Sequence, residues 1–258
     1  MKSLAKIVAM GLVMSSVPVM GAWAEDLKVT TRDQWDWKAP GYTYNAYSPC
    51  KHENNDYKDV TIFMNGNEQK DNDNKFTPFN ALISEYAQYH FSATGNVYIK
   101  DSCFSYKSTN AVYTYFGDDE HPNIDFRRAE KVVIIANALK DGYGSQAISA
   151  KKGGNIAIAA KETGYTKIIG DIDLYHRDGA GTVSVDLNNK DSYWYGNETN
   201  SNDEGKLNLS IRNGAEWIYT TGEKSVFGKS YATGRYISNV TLKDGGIIML
   251  MYRKNLPR

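Results

Sequence analysis

Two aspartates and two basic residues lie close together between Asp171 and Arg177. Asp171 and Asp173 are two residues apart in an alternating segment, so both carboxylates project from one face of a strand. General acid–base cleavage of a polysaccharide needs two such groups with separated pKa values, and His176 or Arg177 could assist them. The simpler interpretation is the polar side of an ordinary strand, because no further catalytic group can be assigned. The sequence therefore predicts no catalytic residues, with Asp171, Asp173 and His176 as the alternative catalytic set.

Three consecutive aromatic residues, Tyr193, Trp194 and Tyr195, are the strongest candidates for ligand contact. Alternation along a strand places Tyr193 and Tyr195 on one face and Trp194 on the other, and one of these faces should belong to the core. Aromatic side chains left outside could contact a host glycan or a surface protein. An exposed tyrosine pair without a ligand is the alternative.

Metal and cofactor chemistry is not expected. The histidines His52, His90, His121 and His176 show no zinc spacing with each other or with the cysteines. Residues 142–147 match the relaxed dinucleotide pattern G-x-G-x-x-A. The segment that follows predicts strand, turn and strand, whereas a nucleotide site requires a helix there.

Residues 1–24 have the features of a secretory signal peptide. Two lysines precede an apolar stretch that ends in Ala22-Trp23-Ala24 and is too short and interrupted for a membrane span. The mature chain is therefore expected outside the cytoplasm, with no membrane span. Loss of the two lysines leaves 28 of the 30 basic residues against 30 acidic residues, a net charge of −2. This balance gives no electrostatic reason to expect nucleic acid as a partner.

The chain contains two cysteines, Cys50 and Cys103. Both lie in the mature part, and an exported protein meets an oxidising compartment. One disulfide between Cys50 and Cys103 is therefore predicted, with two free buried thiols as the alternative.

From residue 130 to residue 258 the chain repeats one pattern, in which four to six residues alternate between apolar and small polar side chains before a Gly, Asn or Asp turn. Each such strand buries one face, so the fold should be all-β. Two architectures satisfy this pattern. One is a β-solenoid built of coils, and the other is an antiparallel sandwich with hairpins at Asn213-Gly214 and Asp244-Gly245.

Residues 25–129 are more polar and less regular, and could hold the first coils. Thr77-Pro78 supplies an N-cap and a proline at the first helical position. One short amphipathic helix is predicted from here, with a stripe formed by Phe79, Leu82, Ile83, Tyr86 and His90.

An ordered set of segments resembles the passenger region of bacterial autotransporters of the type V secretion class. The segments are IIGDIDL at 168, GTVSVDLNNKDSYWYGN at 181, KLNLSIRNGAEWIYT at 206 and SNVTLKDGGIIML at 238, preceded by AISAKKGGNIAIAAK at 147. The resemblance covers roughly half of the chain and implies a right-handed parallel β-helix. Asn213-Gly214 would then be a corner within one coil. Trp217 would stack over neighbouring coils, and the alternative is an exposed Trp217 that binds a sugar ring.

The resemblance also implies a C-terminal outer-membrane barrel, whose alternating segments are not found after Leu250. The resulting hypothesis is an exported passenger fragment, truncated before its barrel, with a structural or adhesive role at the cell surface and no catalysis. If truncated, it would remain in the periplasm. The alternatives are a secreted carbohydrate-active β-helix enzyme, either a lyase or a hydrolase, and a β-sandwich binding module.

Overall fold

The computed structural model describes residues 25–30, 55–64, 80–84, 90–101, 110–117, 121–136, 146–174, 179–199, 205–221 and 239–252. These ranges contain 19 strands and no helix, so nothing helical in them could cross a membrane. The predicted signal peptide, both cysteines, His176 and Arg177 lie outside the described residues. The predictions for export, the disulfide and the basic catalytic partner therefore stay predictions.

Three faces of parallel strands make up the structure. Strand β1 (Glu25–Thr30) pairs with β2 (Asn55–Met64). The first residues of β2 belong to Face A and its last residues belong to Face B. Face A continues through β4 (Phe91–Ala93), β7 (Ile124–Asp125), β10 (Asn155–Ala159), β13 (Thr182–Leu187), β16 (Lys206–Ile211) and β18 (Asn239–Leu242). Face B continues through β5 (Asn96–Asp101), β8 (Lys131–Ile135), β11 (Tyr165–Ile169), β14 (Tyr193–Tyr195), β17 (Glu216–Thr221) and β19 (Ile247–Tyr252). Face C consists of β3 (Asn80–Ser84), β6 (Asn110–Tyr115), β9 (Gln146–Lys151), β12 (Asp171–Asp173) and β15 (Glu198–Thr199).

The chain passes from Face A to Face B to Face C and then returns to Face A, and one such circuit is called a coil below. Each strand pairs in parallel with the strand of the same face in the next coil. The number of residues per coil varies, from 37 between the paired residues Val60 and Val97 to 23 between Trp194 and Trp217. The all-β prediction is confirmed, and the arrangement is solenoid-like with coils of unequal length.

The core lies between the faces because each strand turns its apolar residues inward. On β13, Val183, Val185 and Leu187 are buried while the intervening polar residues are half-exposed. The same columns continue along Face A, where Val183 pairs with Ile156 in one coil and with Leu207 in the next. Burying an aliphatic side chain of this size contributes about 1.5–3 kcal/mol. These continuous apolar columns are therefore the main source of stability.

The helix predicted between Thr77 and His90 is wrong where the structure describes the chain. Residues Asn80–Ser84 form β3, which pairs in parallel with β6 and places Leu82 beside Val112. Leu82 is fully buried in this position. A local helical stripe is a weak preference, and backbone pairing with a neighbouring strand outweighs it. The residues on either side of β3, including Pro78 and Tyr86, lie outside the described residues.

Tight turns form the corners between Face A and Face B. Asn213 and Gly214 have φ angles of 56° and 79°, and Asp244 and Gly245 have φ angles of 49° and 77°. These are the positive angles of a type I′ turn, which suits Asn-Gly and Asp-Gly. The strands that flank each turn belong to different faces and pair in parallel with other coils. The hairpins expected of a sandwich are thus absent from both turns, and the corner interpretation of Asn213-Gly214 is confirmed.

Candidate ligand-binding face

Asp171 and Asp173 lie on Face C, and both carboxylates are engaged in contacts between coils. Oδ1 of Asp171 accepts a hydrogen bond from the backbone N–H of Asn197 at 2.9 Å. Oδ2 of Asp173 lies 2.9 Å from Nζ of Lys151 and 3.5 Å from the hydroxyl of Ser149. The exposed fractions of the two aspartates are 1% and 6%. Both residues therefore join neighbouring coils, and the alternative catalytic set keeps no described base because His176 lies outside the described residues.

The aromatic triplet on β14 divides as its alternation predicts. Trp194 is fully buried, whereas Tyr193 and Tyr195 lie on the outer side of Face B and are half-buried. The indole N–H of Trp194 donates to the carbonyl of Gly170, one coil earlier, at 2.9 Å. Trp194 therefore belongs to the core, and the candidate contact residues of the triplet are the two tyrosines.

Trp217 repeats this arrangement in the next coil. Its side chain is 3% exposed, and its indole N–H donates to the carbonyl of Gly196 at 3.0 Å. The rings of Trp194 and Trp217 are stacked. The alternative in which Trp217 contacts a ligand from the surface is wrong, and the predicted stacking between coils is confirmed.

Two lysines and two tyrosines form a continuous group on the outer side of Face B. The parallel register places Lys131 beside Tyr165 and Lys167 beside Tyr193 on three adjacent strands. Nζ of Lys167 lies 4.5 Å from the ring centroid of Tyr165 and 5.6 Å from that of Tyr193. Nζ of Lys131 lies 5.6 Å from the same Tyr165 ring. These four residues are called the tyrosine–lysine cluster below.

Each lysine of the cluster has a reason to stay beside an aromatic ring. An ammonium group within about 6 Å of a ring centroid is attracted by the negative ring face, by about 0.5–1 kcal/mol at exposed sites. Lys131 is exposed and Lys167 is half-buried, so both ammonium groups remain near the surface. The cluster therefore places two positive charges beside two aromatic rings.

Aromatic and lysine side chains also lie on the outer side of Face B beyond the cluster. Tyr98 is 37% exposed, and Lys100 lies over the Phe63 ring with its Nζ 5.6 Å from the centroid. A neighbouring column is largely apolar, as Ile135, Ile169 and Tyr195 follow one another in register. Flat apolar and aromatic surface bordered by cations is suited to contact with a partner.

Acidic residues lie toward the edges of the described part of Face B. Glu216 pairs in register with Tyr193, on the side away from Lys167. Asp59 lies near the opposite end, where its Oδ1 accepts the backbone N–H of Asn96 at 2.6 Å, and this hydrogen bond lowers the pKa of the Asp59 carboxyl. Lys58 adds to this effect at 3.6 Å. The two lysines of the cluster therefore lie between the Glu216 carboxylate on one side and the Asp59–Lys58 pair on the other.

The sequence interpretation missed Lys131, Tyr165 and Lys167. Tyr165 and Tyr193 are far apart along the chain, and only the register of β11 and β14 brings their outer faces together. The sequence did contain a signal for this contact. Tyr165 and Tyr193 both occupy outward positions of alternating strands, and these strands belong to successive coils.

Within the described ranges, no group of three or more His, Cys, Asp or Glu side chains is placed to hold a metal ion. Comparison with protein-family models, curated proteins and solved structures gives no significant match. The geometry of Face B is therefore the basis on which a function can be proposed.

Proposed function

We propose that this chain is an exported, autotransporter-like passenger with an adhesive role, which binds acidic glycans through the tyrosine–lysine cluster of Face B. The observation that carries this proposal is the position of the Lys167 ammonium between the rings of Tyr165 and Tyr193. Export and the family relationship are supported by the sequence features of residues 1–24 and of the segments from residue 147 onward.

The proposed fold is a right-handed parallel β-helix. The recurrence of each face at every third strand from β4 to β17 and the parallel pairing between coils support this proposal. Right-handedness is supported by a general rule, since connections between parallel strands of one sheet are right-handed in about 98% of cases. Such a fold presents its outer faces as long flat surfaces, which suits contact with an extended polymer.

The cluster combines the two kinds of contact that an acidic sugar chain needs. The flat C–H face of a sugar ring can pack on a tyrosine ring, whose hydroxyl remains in contact with water. The ammonium groups of Lys131 and Lys167 can pair with carboxylate or sulfate groups of the same chain. Adjacent strands are about 4.8 Å apart, so the three strands of the cluster extend over about 10 Å along the solenoid. This length accommodates a short run of sugar units.

A role in binding without catalysis is proposed because both carboxylates of the alternative catalytic set already make contacts between coils. Incubation of the protein with polygalacturonate and chondroitin sulfate should release no unsaturated or reducing sugars. Release of such products would favour the enzyme hypothesis instead.

Binding of the full chain to immobilised polygalacturonate, chondroitin sulfate and neutral dextran tests the proposal. We expect binding to the two acidic polymers and none to dextran. The double variant Lys131→Gln with Lys167→Gln should bind at least tenfold more weakly, equivalent to about 1.4 kcal/mol. Its affinity should also depend less on salt, because fewer ion pairs remain to be screened.

The matched control is Lys206→Gln, which removes one exposed positive charge from Face A. It should bind as tightly as the unmodified chain. Tyr165→Ala should weaken binding but leave its dependence on salt concentration unchanged, because it removes a ring contact and no charge. Equal losses in Lys206→Gln and the Face B variants, or equal binding to dextran, would contradict the proposal.

A further inference from the structure

A carboxylate follows the tyrosine–lysine cluster in register on the outer side of Face B. Lys167 of β11 pairs with Tyr193 of β14, and Tyr193 pairs with Glu216 of β17. Adjacent strands are about 4.8 Å apart, so the backbone of Glu216 lies about 10 Å from that of Lys167. A cation, an aromatic ring and a carboxylate therefore follow one another along the axis of the solenoid.

The charges of this row are not neutralised by neighbouring side chains. Within the described part of the chain, Lys131, Lys167 and Glu216 form no ion pair. Face A differs in this respect, because Nη2 of Arg212 there lies 2.8 Å from Oδ2 of Asp186. A ligand on Face B therefore meets two uncompensated ammonium groups on one side of Tyr193 and one uncompensated carboxylate on the other.

The position of Glu216 is fixed by described parts of the chain. Its backbone N–H donates to the carbonyl of Ser192 in the preceding coil at 3.1 Å. Its register partners are Tyr193 in that coil and Ile247 in the next, and neither is charged. The corner turns of these three coils, residues 188–192, 212–215 and 243–246, are all described. Glu216 is therefore a negative charge held at one end of the row.

We infer that Glu216 determines which acidic glycans the cluster prefers, an inference that rests on the proposed function. An acidic unit paired with Lys167 places the next sugar unit over Tyr193 and a later unit beside Glu216. Like charges in contact repel even in water, and such repulsion is a common means of rejecting a wrong partner. The preferred ligand is therefore a glycan in which an acidic unit is followed by neutral units, and a continuous polyanion is disfavoured.

Titration of the full chain and of its Glu216→Gln variant with polygalacturonate and with 3′-sialyllactose, at low salt, tests this preference. Polygalacturonate carries a carboxylate on every unit and is long enough to pass Glu216 in any register, whereas 3′-sialyllactose has one acidic unit followed by neutral units. We expect Glu216→Gln to bind polygalacturonate about fivefold more tightly, because one repulsion between adjacent charges is removed. Its affinity for 3′-sialyllactose should equal that of the unmodified chain.

Two control variants separate the position of the charge from its presence. Glu216→Asp keeps the charge and should bind both ligands like the unmodified chain. Asp244→Asn removes an exposed negative charge from the turn between β18 and β19, where asparagine also tolerates the positive φ, and should change neither affinity.

The outcomes distinguish this inference from the proposed function. Unchanged binding of polygalacturonate by Glu216→Gln, an equal gain in Asp244→Asn, or an equal gain for 3′-sialyllactose would overturn the role of Glu216 and leave the proposed function intact. Failure of the unmodified chain and of every variant to bind either acidic ligand would overturn both.

Discussion

The indole rings of Trp194 and Trp217 lie parallel, with 4.9 Å between their centroids and 2° between their planes. The two residues are register partners on β14 and β17. Each indole N–H donates to the carbonyl of a glycine one coil earlier. The ring separation matches the spacing of about 4.8 Å between strands. The sheet therefore sets the distance between the rings, and the hydrogen bonds to glycine set their orientation.

Replacing Trp217 by Phe should lower the free energy of unfolding by about 2 kcal/mol. The substitution removes part of the stacked surface and leaves the buried carbonyl of Gly196 without its indole donor. Urea denaturation followed by circular dichroism measures the change. Tyr193→Phe, on the outer side of the adjacent strand, should change the same quantity by less than about 0.5 kcal/mol. Similar losses in both variants would show that the inward stack is not a special source of stability.

Gly196→Ala should destabilise the protein by about 2–3 kcal/mol through steric overlap. A Cβ atom at this position would overlap the carbonyl of Gly170 and lie 2.9 Å from Nε1 of Trp194. The control, Gly214→Ala, places a Cβ 3.4 Å from the Cβ of Lys190, an ordinary van der Waals distance, so only its positive φ opposes the change. That strain should cost about 1 kcal/mol. Thermal unfolding of the two variants side by side gives the order, and a smaller loss for Gly196→Ala would contradict the proposed contact.

Lys151→Met should destabilise the protein by about 2–3 kcal/mol, because it leaves the Asp173 carboxylate buried without its cation. The side chains of Lys151 and Asp173 are 18% and 8% exposed, so water compensates little. Lys161→Met breaks the ion pair with Glu130, whose members are 50% and 42% exposed. This control should cost less than about 0.5 kcal/mol. Denaturant titrations at neutral pH measure the loss of unfolding free energy in both variants. Equal losses would contradict the expected difference between the buried and the exposed ion pair.

The stability of the protein should fall in acid partly through Asp125. Burial raises the pKa of this carboxyl, but the hydrogen bonds and charge of Arg127 outweigh burial and leave the pKa below its ordinary value. A carboxyl with a lowered pKa contributes stability above its unfolded value of about 3.9, and this contribution is lost as the pH falls through the folded value.

Asp125→Asn should therefore reduce the difference in unfolding free energy between neutral pH and about pH 2, by about 0.5 kcal/mol. The effect is small because Arg127 is 57% exposed and water screens the pair. Arg127→Gln should also reduce this difference in unfolding free energy, since it removes the cation that pairs with Asp125. Urea titrations across this pH range would contradict the assignment if both variants kept the full dependence.

Strand alternation and turn chemistry were readable from the sequence because both are local. The two-residue period of a strand fixes which side chains share a face, so the burial of Trp194 and the outward position of Tyr193 follow from their neighbours alone. Asn213-Gly214 predicted a turn because both residues tolerate positive φ. Whether that turn closed a hairpin or a corner could not be decided locally, since the two outcomes differ in which distant strand pairs with β16.

The tertiary structure decided everything that depends on register between coils. Leu82 lies in a strand and not in a helix because Val112 of the next coil pairs beside it. The lysines of Face B meet Tyr165 and Tyr193 only because three strands from successive coils align. Leu242 repeats the alternation of Ile211 yet is exposed, because no described coil covers it. In the alternating strands the sequence by itself determined which way the side chains point, while contacts between coils determined what they meet, since the strands of a solenoid pack against strands one full coil away.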